Sequence, residues 1–193
     1  RASTIAIHRL GTSPHRALSA RARDMETVAS LCERYQVDLA HARQVAAHTV
    51  VLLKALRARV PVSDRLIDLG EMAGLLHNLA MTVDESNHHT VGRDLIAAAA
   101  IEGVDATECA MLACTTRFHR KKVDAEAEPL LQTLDAARRE DVMVLTAALR
   151  VADGLDYSGG QTTRLAAVTI TDAGTWLRLR GPLAAHGYSI VLP

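Results

Sequence analysis

The stretch Ala73-Gly-Leu-Leu-His-Asn-Leu-Ala80 constrains the fold of this chain more than any other. It closes an apolar helical pattern with an imidazole and an amide, and the chain then turns polar through Thr82, Asp84, Glu85 and Asn87. An imidazole pressed into the apolar end of a helix is costly unless something is bonded to it. A fold containing this stretch must therefore bring a polar partner to His77. The sequence offers His41 one helix earlier, His88 and His89 just after, and Asp153 near the end of the last long helix.

Helical spacing supplies the frame. Ala17–Tyr35 reads as a first helix, and Asp38 stands where the N-cap of a second belongs. In that second helix, Leu39–Ala58, one face carries Leu39, Ala42, Ala46, Thr49, Leu53 and Leu56. His41, Val45, His48 and Leu52 form an adjoining stripe, and Arg43, Gln44, Ala47 and Lys54 fall on the wet side. Ser63 caps a third helix that runs from Asp64 to about His77. A polar loop follows, in which His88 and His89 are expected to be exposed. A fourth helix is expected over Thr90–Ile101, ended by Gly103, and Asp105 caps a fifth that reaches Phe118. A basic knot, His119-Arg-Lys-Lys122, leads into a loop with Pro129, and the last long helix spans Arg138–Tyr157.

The tail changes period. Leu165–Thr171 and Thr175–Arg180 alternate as strands around the turn signal Asp172-Ala-Gly174, and Tyr188–Leu192 is a third candidate. Ile5–His8 could pair as a further strand. Trp176 is expected to pack on the strands, with Arg178 and Arg180 exposed. Helices first and strands last imply a mainly α fold: a helical bundle of about six helices with a small antiparallel β appendage. The expected division is an N-terminal extension over residues 1–16, a helical domain over 17–158 and the appendage over 159–193.

Composition limits the partners. Aromatics are only 3% of the chain, so Ala, Leu and Val must build the core, which favours closely packed helices. The 22 basic and 22 acidic residues cancel, so nothing draws the whole molecule to nucleic acid or a membrane, and anion binding must come from a local cluster. No apolar run approaches the roughly 18 residues that a membrane span needs. Cys32, Cys109 and Cys114 form no CxxC pair and read as buried free thiols of a cytoplasmic protein.

His41, His77, Asn78 and Asp153 all fall at or near helix ends, which a compact bundle can bring together. Imidazoles and carboxylates suit Mn, Fe, Zn or Mg, and such an ion can activate water against phosphorus. Arg43, Arg117, Arg120, Lys121, Lys122 and Arg150 are the cations available for phosphate oxygens.

Several short motifs now stand in order: Asp38-Leu-Ala-His41-Ala, Leu75-Leu-His77-Asn78, His88-His89 with Arg93-Asp94-Leu-Ile96, Arg117-Phe-His119-Arg120, and Leu149-Arg-Val-Ala-Asp153-Gly-Leu-Asp156. In that order they resemble HD domains, and most of all the C-terminal helical domain of the exopolyphosphatase/guanosine pentaphosphate phosphohydrolase family. The likeness extends over about residues 24–180. It implies an HD-like bundle in which His41, His77 and Asp153 bind a divalent ion and Asn78 falls where the Asp of the name-giving pair belongs. Asn is neutral, so the pair is degenerate by one negative charge, and Asp84 is a nearby carboxylate available to substitute.

The resemblance also implies catalytic roles for His77 and Asp153, with Arg117, His119, Arg120, Lys121 and Arg150 facing a phosphorylated small molecule or polyphosphate. Asp156 is either an acid behind the ligands or a surface residue at a helix end. In that family an actin-like ATPase-fold domain carries the catalysis, and this chain looks like the helical domain alone, which leaves room for a separate catalytic partner chain. Three readings stay open: a metal-dependent phosphohydrolase, a non-catalytic polyanion-binding or dimerisation module with a vestigial metal site, and a plain interaction or scaffold domain whose Ala-rich faces could pair with another copy as a homodimer. None of them calls for a membrane or a specific nucleic acid.

Overall fold

The computed structural model describes residues 25–181. Among them the chain forms seven helices and one two-stranded antiparallel sheet, in the order α1 (Val28–Arg34), α2 (Leu39–Leu56), α3 (Asp64–Leu76), α4 (His88–Ala98), α5 (Ala106–Phe118), α6 (Pro129–Gln132), α7 (Ala136–Leu155), β1 (Arg164–Thr171) and β2 (Gly174–Arg180). The fold is mainly α, as expected. The candidate strands Ile5–His8 and Tyr188–Leu192, and the N-terminal extension, lie outside the described residues. No described helix is long and apolar enough to cross a membrane.

Local chemistry sets most of the helix starts. Asp38, Ser63 and Asp105 each accept backbone N–H groups of the first turn they precede, and Asp105 forms a reciprocal capping box with Glu108. Arg65 on α3 then grips the Glu108 carboxylate with Nε at 2.7 Å and Nη2 at 2.6 Å, tying α3 to the start of α5. The first helix is shorter than its sequence pattern implies. Thr27 is extended and its hydroxyl caps Ser30 N, so the helix begins at Val28, and Glu26 bridges to Ile101 instead. The short α6, capped by Glu128 and started by Pro129, falls in what reads from the sequence as loop.

Helix α2 is the spine of the bundle. It packs on α3 and α7, and β1 lies against it. Ala42 and Ala46 are buried, and Gly74 of α3 sits directly over Ala46. That small-on-small contact lets the two backbones approach closely. Leu53, Leu69, Leu76, Leu112, Leu145 and Leu149 fill the core, with buried free thiols at Cys32, Cys109 and Cys114. Burial pushes the Cys114 thiol up to about 12.

The hairpin turns through Asp172 and Ala173, with Thr171 opposite Gly174. Leu165, Val168, Leu177 and Leu179 face the bundle. Trp176 does not pack beneath the strands: it shares the outer face with Arg178 and Arg180 and is 51% exposed. Gln44, placed by helical spacing on the wet side, is buried. Its amide Nε2 donates to Thr163 O at 2.6 Å, because the chain leading into β1 covers that face of α2. His48 accepts Leu165 N through Nε2 at 3.2 Å on the same face.

Candidate metal centre

The last carbonyls of a helix lack partners within it, so a side-chain donor placed there is well used. His77 is the C-cap of α3 and His119 the C-cap of α5. His77 Nδ1 lies 2.8 Å from Gly74 O, and His119 Nδ1 lies 2.6 Å from Thr116 O. His88, opening α4, repeats the pattern with Glu85 O at 2.7 Å. A carbonyl oxygen only accepts, so each ring donates from Nδ1. Each Nε2 therefore carries a lone pair turned into the bundle.

These lone pairs meet. His41 Nε2 is 3.2 Å from His77 Nε2 and 3.3 Å from Asp153 Oδ1, and His77 Nε2 is 3.5 Å from the same oxygen. His41 comes from the first turn of α2, His77 from the end of α3 and Asp153 from the last turn of α7. Around one tetrahedral ion with bonds of 2.0–2.1 Å, neighbouring ligand atoms stand about 3.3–3.4 Å apart. The His41, His77 and Asp153 atoms match that spacing, so the donor set fits a divalent cation in chemistry and in size.

The electrostatics agree. The Asp153 carboxylate facing Nε2 raises the proton affinity of His41 against its burial, with Asp156 adding to the effect. Burial pushes the Asp153 carboxyl up, but the His41 and His77 rings beside it outweigh that and hold it well below the usual carboxylate range. The cluster attracts positive charge.

A second pair adjoins it. His88 Nε2 lies 3.2 Å from His119 Nε2, and the His119 ring meets the His77 ring edge-on at 5.3 Å between centroids. Both rings are buried, which sets His119 beside the His77 ring and overturns the expected exposure of His88. His89 is buried as well. The fourth helix starts at His88 rather than Thr90, and its inner face runs His88, His89, Gly92, Ile96. That stripe is a helical pattern in the sequence, hidden because the imidazoles follow a polar loop. Burial drives His119 down to about 3, and burial with the Arg117, Lys121 and Arg120 charges takes His89 down to about 4.

The other candidates divide. Asn78 is half-buried, and its amide makes no hydrogen bond among the described residues. Asp84 accepts Asn87 N at 3.0 Å and Asn87 Nδ2 at 3.1 Å, closing its own turn outside the His41–His77–Asp153 group. Arg117 is half-buried, Arg120 and Lys121 are exposed, and none of the three pairs with a carboxylate among the described residues. Arg150 spends Nη1 on Phe118 O and Lys121 O, bracing the chain after α5. Asp156 is no surface residue: it is 2% exposed, and Oδ2 lies 2.9 Å from His41 Nδ1.

Residues 23–186 match the family model described as Ppx/GppA phosphatase, domain III. No curated protein matches the chain.

Proposed function

The chain belongs to the Ppx/GppA phosphatase family, with residues 23–186 matching its domain III, and on that premise we propose that it is a metal-binding phosphohydrolase domain acting on a phosphoanhydride or phosphoester. One observation carries the reading: three ligand atoms from α2, α3 and α7 stand 3.2–3.5 Å apart with their lone pairs facing one another. His41, His77 and Asp153 would hold one divalent ion. The His88–His119 pair has the same spacing and would hold a second beside it. Mn, Fe or Zn suits such an imidazole-rich set better than Mg. A divalent ion there supplies Lewis acidity toward a phosphoryl oxygen and lowers the pKa of water.

The chain's own residues do the rest. With the neutral Asn78 beside His77, Asp153 would be the one carboxylate among the three ligands. Arg117, Arg120 and Lys121 lie close enough to His89 to depress it, and their charges, which meet no carboxylate among the described residues, suit the oxygens of a phosphate chain. A nucleotide and a polyphosphate share that chemistry.

Metal content tests the reading first. Purified protein, stripped and then incubated with Mn, Fe or Zn, is expected to retain the ion near stoichiometry and to lose it in His77→Ala. Phosphate release from polyphosphate and nucleotides is then expected to depend on the added ion. No retention of any of the three ions overturns the proposal. Retention without release leaves a metal centre that does not hydrolyse these substrates.

A further inference from the structure

We infer that Asp156, which touches no ion position itself, is the positioning residue that makes His41 a ligand, by fixing the proton of its ring on Nδ1. The inference rests on the reading that the centre takes a divalent cation.

Asp156 lies at the C-cap of α7, one turn beyond Asp153, and is 2% exposed. No Lys or Arg pairs with it among the described residues. A buried carboxylate without a cation is expensive unless its lone pairs are filled by donors. Three donors fill them: His41 Nδ1 at 2.9 Å and Gln161 Nε2 at 3.1 Å reach Oδ2, and Gln161 N at 2.7 Å reaches Oδ1. Gln161 adopts a left-handed backbone, φ 49°, to make its two bonds. A side chain other than glycine pays roughly 1–2 kcal/mol for that conformation, so the surrounding contacts must hold it there.

Further along, the same face of α2 grips the same segment. Gln44 and His48, three and seven residues after His41, hold Thr163 O and Leu165 N. Residues 156–165 are thus fastened at three points to the face that carries His41, and the carboxylate is fixed relative to the ring.

The consequence for His41 is chemical. With Nδ1–H committed to Asp156, only Nε2 is free to face His77 and Asp153, and it faces them as a lone pair. A carboxylate behind an imidazole also raises the basicity of the far nitrogen, and removing such a partner typically lowers metal affinity about 10–100-fold. Asn at position 156 is nearly isosteric but cannot accept on both of its arms. Either its NH2 faces Nδ1 of His41, which then must move its proton to Nε2, or it faces Gln161 N, which loses its bond.

The ring proton can be read directly. In the metal-free wild-type protein at alkaline pH, long-range 1H–15N correlation spectra are expected to show His41 protonated on Nδ1. Protonation on Nε2 overturns the inference, whether or not the protein binds metal, so this failure is distinct from failure of the phosphohydrolase reading. In Asp156→Asn the Mn2+ or Zn2+ dissociation constant is expected to rise about 10–100-fold with the helical circular dichroism unchanged, the ring proton moving to Nε2 where the new NH2 faces His41. Gln161→Ala keeps the carboxylate and removes one of its side-chain donors, so a smaller rise is expected. If Asp156→Asn does not fold, the wild-type tautomer and Gln161→Ala decide. A folded Asp156→Asn protein with His41 still protonated on Nδ1 and affinity within twofold of wild type refutes the role.

Discussion

Replacing Gly74 by Ala links the packing of the bundle to the geometry of its centre. A Cβ on Gly74 would lie 2.4 Å from Ala46 Cα, 2.7 Å from Ala46 N and 2.9 Å from Ala46 Cβ. Two of these are backbone atoms of α2, so no rotamer change relieves the clash and the helices must part. Restoring an ordinary carbon contact of about 3.5 Å needs about 1 Å of separation. His77 lies three residues beyond Gly74 and bonds to its carbonyl, and His41 lies just over one turn before Ala46. The same displacement would carry the 3.2 Å gap between the two Nε2 atoms to about 4 Å, wider than the edge of about 3.4 Å that one ion spans.

Overpacking of this kind costs about 1–3 kcal/mol, and the better helix propensity of Ala returns up to about 1 kcal/mol. A net loss of about 1–2 kcal/mol is expected, which lowers the melting temperature by about 2–8 °C. Two comparisons isolate the cause. At Gly70 the added Cβ meets the tip of the Leu53 side chain, which can turn, so the loss should be smaller. At Gly154, on the exposed face of α7, the Cβ meets nothing within 4 Å, so Ala should leave the protein unchanged or up to about 1 kcal/mol more stable. Urea unfolding and Mn2+ titration calorimetry of the three variants provide the measurement. A Gly74→Ala protein as stable as wild type, with unaltered Mn2+ affinity, would refute the reasoning.

Acid should weaken the metal-free fold well before its carboxylates titrate. His119 and His89 are held neutral in the native state, down to about 3 and about 4, while an unfolded histidine takes a proton near 6.5. Between those values the unfolded chain binds more protons than the folded one. Stability therefore falls as pH drops through that window, by about 1.4 kcal/mol per pH unit for each ring. The urea midpoint measured from pH 7.5 to 4.5 should decline steadily below pH 6, and a flat profile would show that the two rings are not buried neutral. At the other end of the bundle, Asp105→Ala removes the α5 cap and the capping box, and should cost about 1 kcal/mol in the same urea assay without changing Mn2+ affinity.

Helix starts are legible here because capping acts within three residues. Asp38, Ser63 and Asp105 announce α2, α3 and α5 in the sequence, and the structure finds their side chains on the first-turn N–H groups. The hairpin is legible for the same reason: strand alternation and a two-residue turn are short-range signals. Residues whose environment comes from a distant segment were not legible. Gln44 looks wet until the chain at Thr163, 119 positions away, covers it. His88 and His89 look exposed until α4 is seen to begin on them and to turn them toward α5.

By itself the sequence determined the mainly α class, the ends of several helices, and the set of residues from which a centre could be assembled. Only the tertiary structure decided which of them meet. His41 and His77 are 36 positions apart, and His41 and Asp156 are 115. Local propensity holds no information over such separations. Which nitrogen of His41 faces Asp153, and which faces Asp156, depends on how closely α2 and α3 approach across Gly74 and on where the chain after α7 is fastened. Those are packing outcomes of the whole core.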